Sequence, residues 1–379
     1  MTDYLPSFLS TDGILIGTII PFLFVLTVVV FVHEMGHYLV GRWCGIGVKA
    51  FSIGFGPEIV GFNDRHGTRW KLSAIPLGGY VKFVGDMNAT STPDAAAEAQ
   101  LSAEDRKVAF HTQPVWKRAA TVIAGPLFNF ILTIAVFAVF FGVYGRYVMD
   151  PVVAEVRPDS PAAIAGIEPG DRFVSVDGRP VTTFSDVQRI VSARGGDPLV
   201  FVMSRDGRDV TLTATPELAD QQDGLGNTVK VAVIGVVSNE EVGQPRLITY
   251  SPGEALVQAV NDTGYVIART GQFLQRFAFG REDKCQLGGP VKIAGMAGQA
   301  AKIGFESLIQ LAALLSVGIG FLNLLPIPPL DGGHLLFYAI EAVKGRPVSE
   351  RAMEAVYRVG FVAVLAFMAF VFWNDLFGC

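Results

Sequence analysis

The chain has 379 residues, half of them hydrophobic and only 17% charged, with a formal net charge of −5. A mean hydropathy of +0.41 is too high for an ordinary soluble protein of this size and points to several membrane spans. The acidic balance, with a pI near 5.6, argues against nucleic acid as a partner. Three cysteines (Cys44, Cys285, Cys379) form no CxxC pattern, which suggests neither a disulfide framework nor a thiolate metal site.

The segment Met1 to Asp12 lacks a basic region, and the apolar stretch after it is too long for a cleaved signal peptide. It reads as a retained first span over roughly 13–41, free of charge from Gly13 to Val32. That run closes on His33-Glu34-Met35-Gly36-His37. On a helix, side chains four apart leave the same face one turn from each other, so the two imidazoles can grip one zinc ion. Glu34 stands beside them, placed to take a proton from water at the metal. A hydrogen-bonded structural histidine is the bland alternative, but two His and a Glu in apolar sequence are costly unless paired or metal-bound.

Residues 46–84 read as three strands, 48–56, 68–75 and 80–84, with turn chemistry at Asn63-Asp64 and His66-Gly67. A sheet close to such a centre offers an edge to which a substrate could add as a further strand, around Gly78, Gly79 and Tyr80. A cap with no contact to substrate is the alternative. The Ala-, Ser-, Thr- and acid-rich stretch 86–106 reads as a loop. The second span, Ala119 to Gly145, carries no charge.

Residues 150–215 have the pattern of a small β-rich domain. A strand at 152–156, a short helix at 160–167, a strand ending in Asp177-Gly178, an amphipathic helix at 184–193 and a final strand pair at 199–203 and 209–214 follow in order. Val229 to Gly235 reads as a closing strand. The periodic stretch 252–302 suggests amphipathic helices lying on the membrane surface. A third span runs from Ser307 to about Leu330, and a weaker fourth covers roughly 356–373.

Asp331 ends the third span in Asn323-Leu-Leu-Pro-Ile-Pro-Pro-Leu-Asp331-Gly-Gly-His334. A buried acid there is compensated by a metal, which makes it the candidate third ligand; helix capping at the interface is the other reading. Pro326, Pro328 and Pro329 break the helix locally. His334 suits a supporting position behind the ligands; a simply interfacial histidine is the alternative. Lys and Arg near the span ends (Arg42, Lys49, Lys117, Arg118, Lys344, Arg346, Arg351) place those loops in the cytoplasm, and both termini and 146–302 outside. His33 then sits roughly 13 Å inside the cytoplasmic boundary.

Together, the His-Glu-Met-Gly-His motif, Gly125-Pro126-Leu-Phe-Asn129 and the Asn323-to-His334 stretch resemble the site-2 protease family of intramembrane zinc metalloproteases. The Pro76-Leu-Gly-Gly-Tyr-Val-Lys segment and the inserted domain, in which Ala-Gly-Ile precedes Pro-Gly-Asp, are similar to the bacterial RseP-type branch, here with a single PDZ domain. The resemblance implies one Zn2+ per chain on His33, His37 and Asp331, Glu34 as acid/base, and Asn323 holding unwound substrate. It implies a peptide-binding loop near Ala165, Gly166 and Ile167; a domain that is only a steric plug and binds no peptide is the alternative. It also implies single-span membrane substrates, such as anti-sigma factors shortened by an upstream site-1-type protease, or remnant signal peptides.

The expected architecture is a polytopic α-helical membrane protein of the bacterial inner membrane. Its parts are the first helix (1–41), a membrane-associated β region (42–118), the second helix (119–145), a periplasmic PDZ domain (146–250), amphipathic helices (251–302) and the last two spans (303–379). The rival reading is a catalytically silent membrane scaffold whose PDZ domain binds peptides.

Overall fold

The computed structural model describes residues 15–86, 101–222, 228–280 and 287–378. The chain divides into two compact units, 1–137 with 259–270 and 288–379, and 138–258 with 271–287. The positions of Cys285 and Cys379, whose pairing the sequence leaves open, lie outside the described residues.

Helix α1 (Ile20–Trp43) starts with Pro21 in its first turn, where the missing N–H costs nothing. Its buried stripe, Val25, Val29, His33 and His37, recurs every four residues, so the histidines share the face that packs inward. Gly36 lies so close to the second span that a methyl there would overlap the Ala124 carbonyl.

Strands β1 (Val48–Asn63) and β2 (Arg69–Phe83) are each bent into two segments. The pairing gives the order 79–83, 48–53, 69–73, 58–63; the two outer pairs run antiparallel, whereas 50–53 and 69–72 run in the same direction. Gly54 and Gly56 take positive φ in β1, and Pro76 and Gly78 interrupt β2, so the bends sit where proline and glycine remove ladder bonds. Three strands were expected; the fourth segment, 58–63, hides between Pro57 and the Asn63-Asp64 turn. The register leaves 79–83 on an edge of this sheet.

Asp64 pins the sheet to α1. Its carboxylate accepts from the Tyr38 hydroxyl (3.1 Å), the Trp70 indole (3.0 Å) and the backbone of His66 and Thr68. Burial opposes the charge, but these four donors bring the carboxyl down to about 2.

Residues 87–100 lie outside the described set, while 103–108 form a short helix, α2 (Ala103–Val108), capped by Ser102, where a loop was expected. Helix α3 (Val115–Val143) carries the second span, four residues longer at its start than the charge-free run.

The second unit holds a four-stranded sheet of β3 (Arg172–Val176), β4 (Arg179–Pro180), β5 (Leu199–Arg205) and β6 (Arg208–Ala214), in the order β4-β3-β5-β6. Asp177-Gly178 and Asp206-Gly207 both take positive φ, the conformation of a tight two-residue hairpin. The amphipathic helix α4 (Phe184–Ser192) has the capping box Thr183/Asp186 and lays Phe184, Val187 and Val191 on a core of Phe173, Leu199, Phe201 and Met203. Burial raises the Asp171 carboxyl, but the Arg205 guanidinium and the Glu168 N–H hold it below its ordinary value. The expected strand at 152–156 shrinks to 155–156, which pairs with 236–237, and residues 228–233 form a hairpin with 217–222.

Two helices lie along the stretch 252–302, α5 (Pro252–Ala278) and α6 (Pro290–Ile303). Of these, α6 does not lie free: Ala297 and Ala300 join Val25, Val29, Leu308 and Leu311 in one core. The third span ends earlier than expected. Helix α7 (Phe305–Asn323) stops at Asn323, the proline-rich strap 324–330 is not helical, and α8 (Asp331–Lys344) begins anew at Asp331. Proline cannot donate to the ladder and excludes its predecessor from helix, so the consecutive prolines enforce this break. Helix α9 (Glu350–Trp373) is the fourth span, starting six residues before the expected one. Among the described residues, four helices are long and apolar enough to cross a membrane: Gly17–Trp43, Val115–Val143, Phe305–Asn323 and Arg351–Phe377.

Candidate metal centre

His33 and His37 are less than a tenth exposed, and their Nε2 atoms face each other at 3.2 Å. Asp331 closes the triangle, with Oδ2 at 3.1 Å from His33 Nε2 and Oδ1 at 3.6 Å from His37 Nε2. Tetrahedral zinc with bonds of about 2.0–2.1 Å sets its ligands roughly 3.3 Å apart, so these spacings match its edges. Two neutral imidazoles cannot aim lone pairs at one another without a cation or proton between them. Asp331 Oδ2 is buried and lacks a hydrogen-bond donor. The set of two nitrogens and one carboxylate therefore fits a zinc ion.

The outer ring nitrogens are held from α3. His37 Nδ1 lies 2.9 Å from the Thr121 carbonyl, which can only accept, so Nδ1 carries the proton and Nε2 is left to bind metal. His33 Nδ1 lies 3.2 Å from the Asn129 side-chain amide, whose other polar atom, Oδ1, is buried without a partner. Turning that amide over lets the oxygen accept from His33 Nδ1–H and gives His33 the same tautomer. Asn129 is itself fixed, because its carbonyl accepts from Thr133 (3.1 Å) and from Ser316 of α7 (3.0 Å). Gly125 completes the wall, since any side chain there would enter the two imidazole rings.

Glu34 lines the same cavity of about 240 Å³ as the three candidate ligands. The Val81 N–H donates to its carboxylate, which ties the edge segment 79–83 to the motif. Gly79 permits this approach, because a side chain there would meet Val30 and Glu34. Asn323, Gly79 and Tyr80 also line the cavity, as does His334. Gly78 does not; it is the bend residue, and a side chain on it would strike the Phe55 ring.

The loop expected at Ala165, Gly166 and Ile167 is overturned as a carboxylate receptor. Its three N–H groups donate to Pro161, Ala163 and Ala162, and Ile167 is buried in the core. They close a short helix and have nothing to offer a chain end.

Sequence reasoning gave no role to Thr121, which acts through its backbone and leaves no trace in residue type. Asn129 did carry a signal, as an amide in a charge-free span. His334 takes a hydrogen bond with Tyr357 of α9 (2.7 Å to Nδ1), a partner that only the fold reveals.

The model of peptidase family M50 matches residues 21–367. A protein of Mesorhizobium japonicum, named provisionally as a zinc metalloprotease, is 76% identical over 365 residues, covering 96% of this chain and all of its own. A Brucella suis protein with the same kind of name is 66% identical over the full length of both. The metalloprotease MmpA of Caulobacter vibrioides is 41% identical, covering 94% of this chain and 95% of its own. Among solved structures, the PDZ domain of an SdrC-like protein from Listeria monocytogenes covers 24% of this chain and 90% of its own, at 17% identity and a TM-score of 0.19. From a family match across both motif-bearing ends and relatives aligned over nearly their whole length, the chain belongs to peptidase family M50, the site-2 proteases, and is a zinc-dependent membrane metalloprotease.

Proposed function

We propose that the protein hydrolyses peptide bonds within or near the transmembrane segments of single-span membrane proteins, with His33, His37 and Asp331 holding one zinc and Glu34 acting as acid and base. The observation that carries this reading is the convergence of three ligand atoms in a cavity that Glu34 shares. When bound, zinc supplies Lewis acidity toward water and the scissile carbonyl. The Glu34 carboxylate takes the proton from the attacking water and returns it to the departing amine. Asp331 and the two imidazoles, fixed by Thr121 and Asn129, need no rearrangement as charge develops.

A substrate helix hides its amides in its own hydrogen bonds and has to be unwound before attack. Segment 79–83 supports an extended substrate. Val84 N–H pairs inward with Gly47, so by strand alternation the backbone groups of Gly79 and Val81 turn outward, and Val81 already meets Glu34. Asn323 offers an amide at the cavity wall for the same chain.

Phe55, Ile59, Val60, Phe62, Ile75 and Leu77 are all exposed large apolar residues of the same sheet, which suits immersion in lipid. The positive loops favour an inner-membrane topology with both termini and the PDZ-like domain on the periplasmic side. The domain then screens out substrates with intact bulky ectodomains, so that anti-sigma factors trimmed by an earlier protease, or remnant signal peptides, are the substrates to try.

The test is cleavage of a tagged single-span substrate by purified protein, wild type against Glu34→Gln, with zinc assayed in both. Cleavage is expected to fall by at least about 10³-fold with zinc retained. Equal cleavage by the two proteins contradicts the assignment of Glu34.

A further inference from the structure

Asp331 is the first residue of α8, whose start carries no side-chain cap. Helix α9 touches the chain three residues before it and three residues after it. Before it, Gly360 packs on the Pro328 backbone so closely that any side chain would overlap the Pro328 carbonyl. After it, the Tyr357 hydroxyl hydrogen-bonds His334 at 2.7 Å from Nδ1 and 3.0 Å from Nε2, with the phenol ring stacked on Phe337.

These two residues stand out on their helix. Between Arg351 and Phe370 only Tyr357 and Gly360 are buried. Glycine is poorly suited to a helix interior, costing about 1 kcal/mol against alanine, so its use at 360 calls for a packing reason. The reason is the strap. Gly333, in the first turn of α8, presses on the same residue, where a side chain would meet the Pro328 nitrogen at 2.8 Å. The strap is thus packed against two glycines, and Leu330, its last residue, leads directly into Asp331.

We propose that Tyr357 and Gly360 are positioning residues for the third metal ligand: α9 clamps the 328–334 segment on both sides of Asp331 and so fixes its carboxylate against His33 and His37. This rests on the reading of Asp331 as a ligand. The clamp acts through the backbone of Pro328 and the ring of His334, and neither residue of α9 touches substrate.

The experiment measures the rate of zinc loss from full-length protein in detergent to a chromogenic chelator. It compares wild type, Tyr357→Phe, Gly360→Ala, Asp331→Asn and the control Ala363→Leu, which lies on the exposed face of α9. Tyr357→Phe keeps the ring and loses one hydroxyl that acts on Asp331 only through His334; zinc loss is expected to quicken about tenfold, the lower end of the range for groups that orient a metal site. Gly360→Ala is expected to do at least as much, Ala363→Leu nothing, and kcat in both clamp variants to fall with KM unchanged. Tyr357→Phe decides the matter if Gly360→Ala fails to fold. Fast zinc loss from Asp331→Asn with wild-type rates in both clamp variants overturns the clamp alone. Wild-type zinc retention by Asp331→Asn removes the ligand reading beneath it.

Discussion

The two units of this chain differ in the polar groups they bury beside their apolar cores and in what they expose. In the helical unit the interior holds His33, His37, Asn129, Thr133 and Ser316, while Phe361, Leu365, Phe367 and Phe370 stand exposed on α9. In the β-rich unit the interior is Phe173, Leu199, Phe201 and Met203, and arginines and acids cover the outside. Each unit turns outward what its solvent accepts. In lipid, apolar burial gives helices no reason to associate, so close backbone approach at Gly36 and Gly125 and the Thr133-to-Ala313 hydrogen bond (2.7 Å) hold the first unit together. In water the second unit is held by the hydrophobic effect, with roughly 1.5–3 kcal/mol for each large buried side chain.

If that contrast is right, the largest single loss available in the β-rich unit is apolar. Phe201→Ala is expected to destabilise that unit by about 3–5 kcal/mol, read from its protease susceptibility in urea, with zinc content unchanged. Loss of zinc in this variant would mean that the metal centre depends on the β-rich core.

A smaller effect is expected from the polar interior of the helical unit. Asn129→Ala removes the partner of His33 Nδ1 and is expected to weaken zinc binding about 10–100-fold in chelator competition, with unfolding of the β-rich unit unmoved. Affinity equal to wild type would make Asn129 a packing residue and remove its part in setting the His33 tautomer.

The smallest effect concerns the sheet docked on α1. The Asp64 carboxyl is held at about 2, below its ordinary 3.8, so the folded state favours the charged form. Its contribution is fully present above about pH 4 and is lost as pH falls through about 2. The Trp70 fluorescence of wild type, set against Asp64→Asn, is expected to show this acid-dependent step only in wild type. A step of equal size in both would assign it to other groups.

Much of the helical unit was legible because its information is local. The four-residue spacing of His33 and His37, the charge-free spans and the acid after three prolines each announce themselves within a dozen residues. What was hidden depends on partners distant in sequence. The order of the sheet segments follows from bends at Gly54, Gly56 and Gly78, and the apolar composition of the strap makes it look like the tail of one span although α8 is a separate helix. Thr121 acts through a carbonyl that any residue possesses. The Ala165–Ile167 loop misled for the converse reason: its composition suits a carboxylate receptor, but its N–H groups are spent within one turn of helix.

The central claim is that two imidazoles of α1 and one carboxylate of α8 make a single zinc site. Zinc per chain, measured on purified wild type and on His33→Ala, His37→Ala and Asp331→Asn, tests it most directly. One zinc in wild type and far less in each variant, with the helical fold retained by circular dichroism, is the result expected. A full equivalent of zinc in any of the three variants would contradict it.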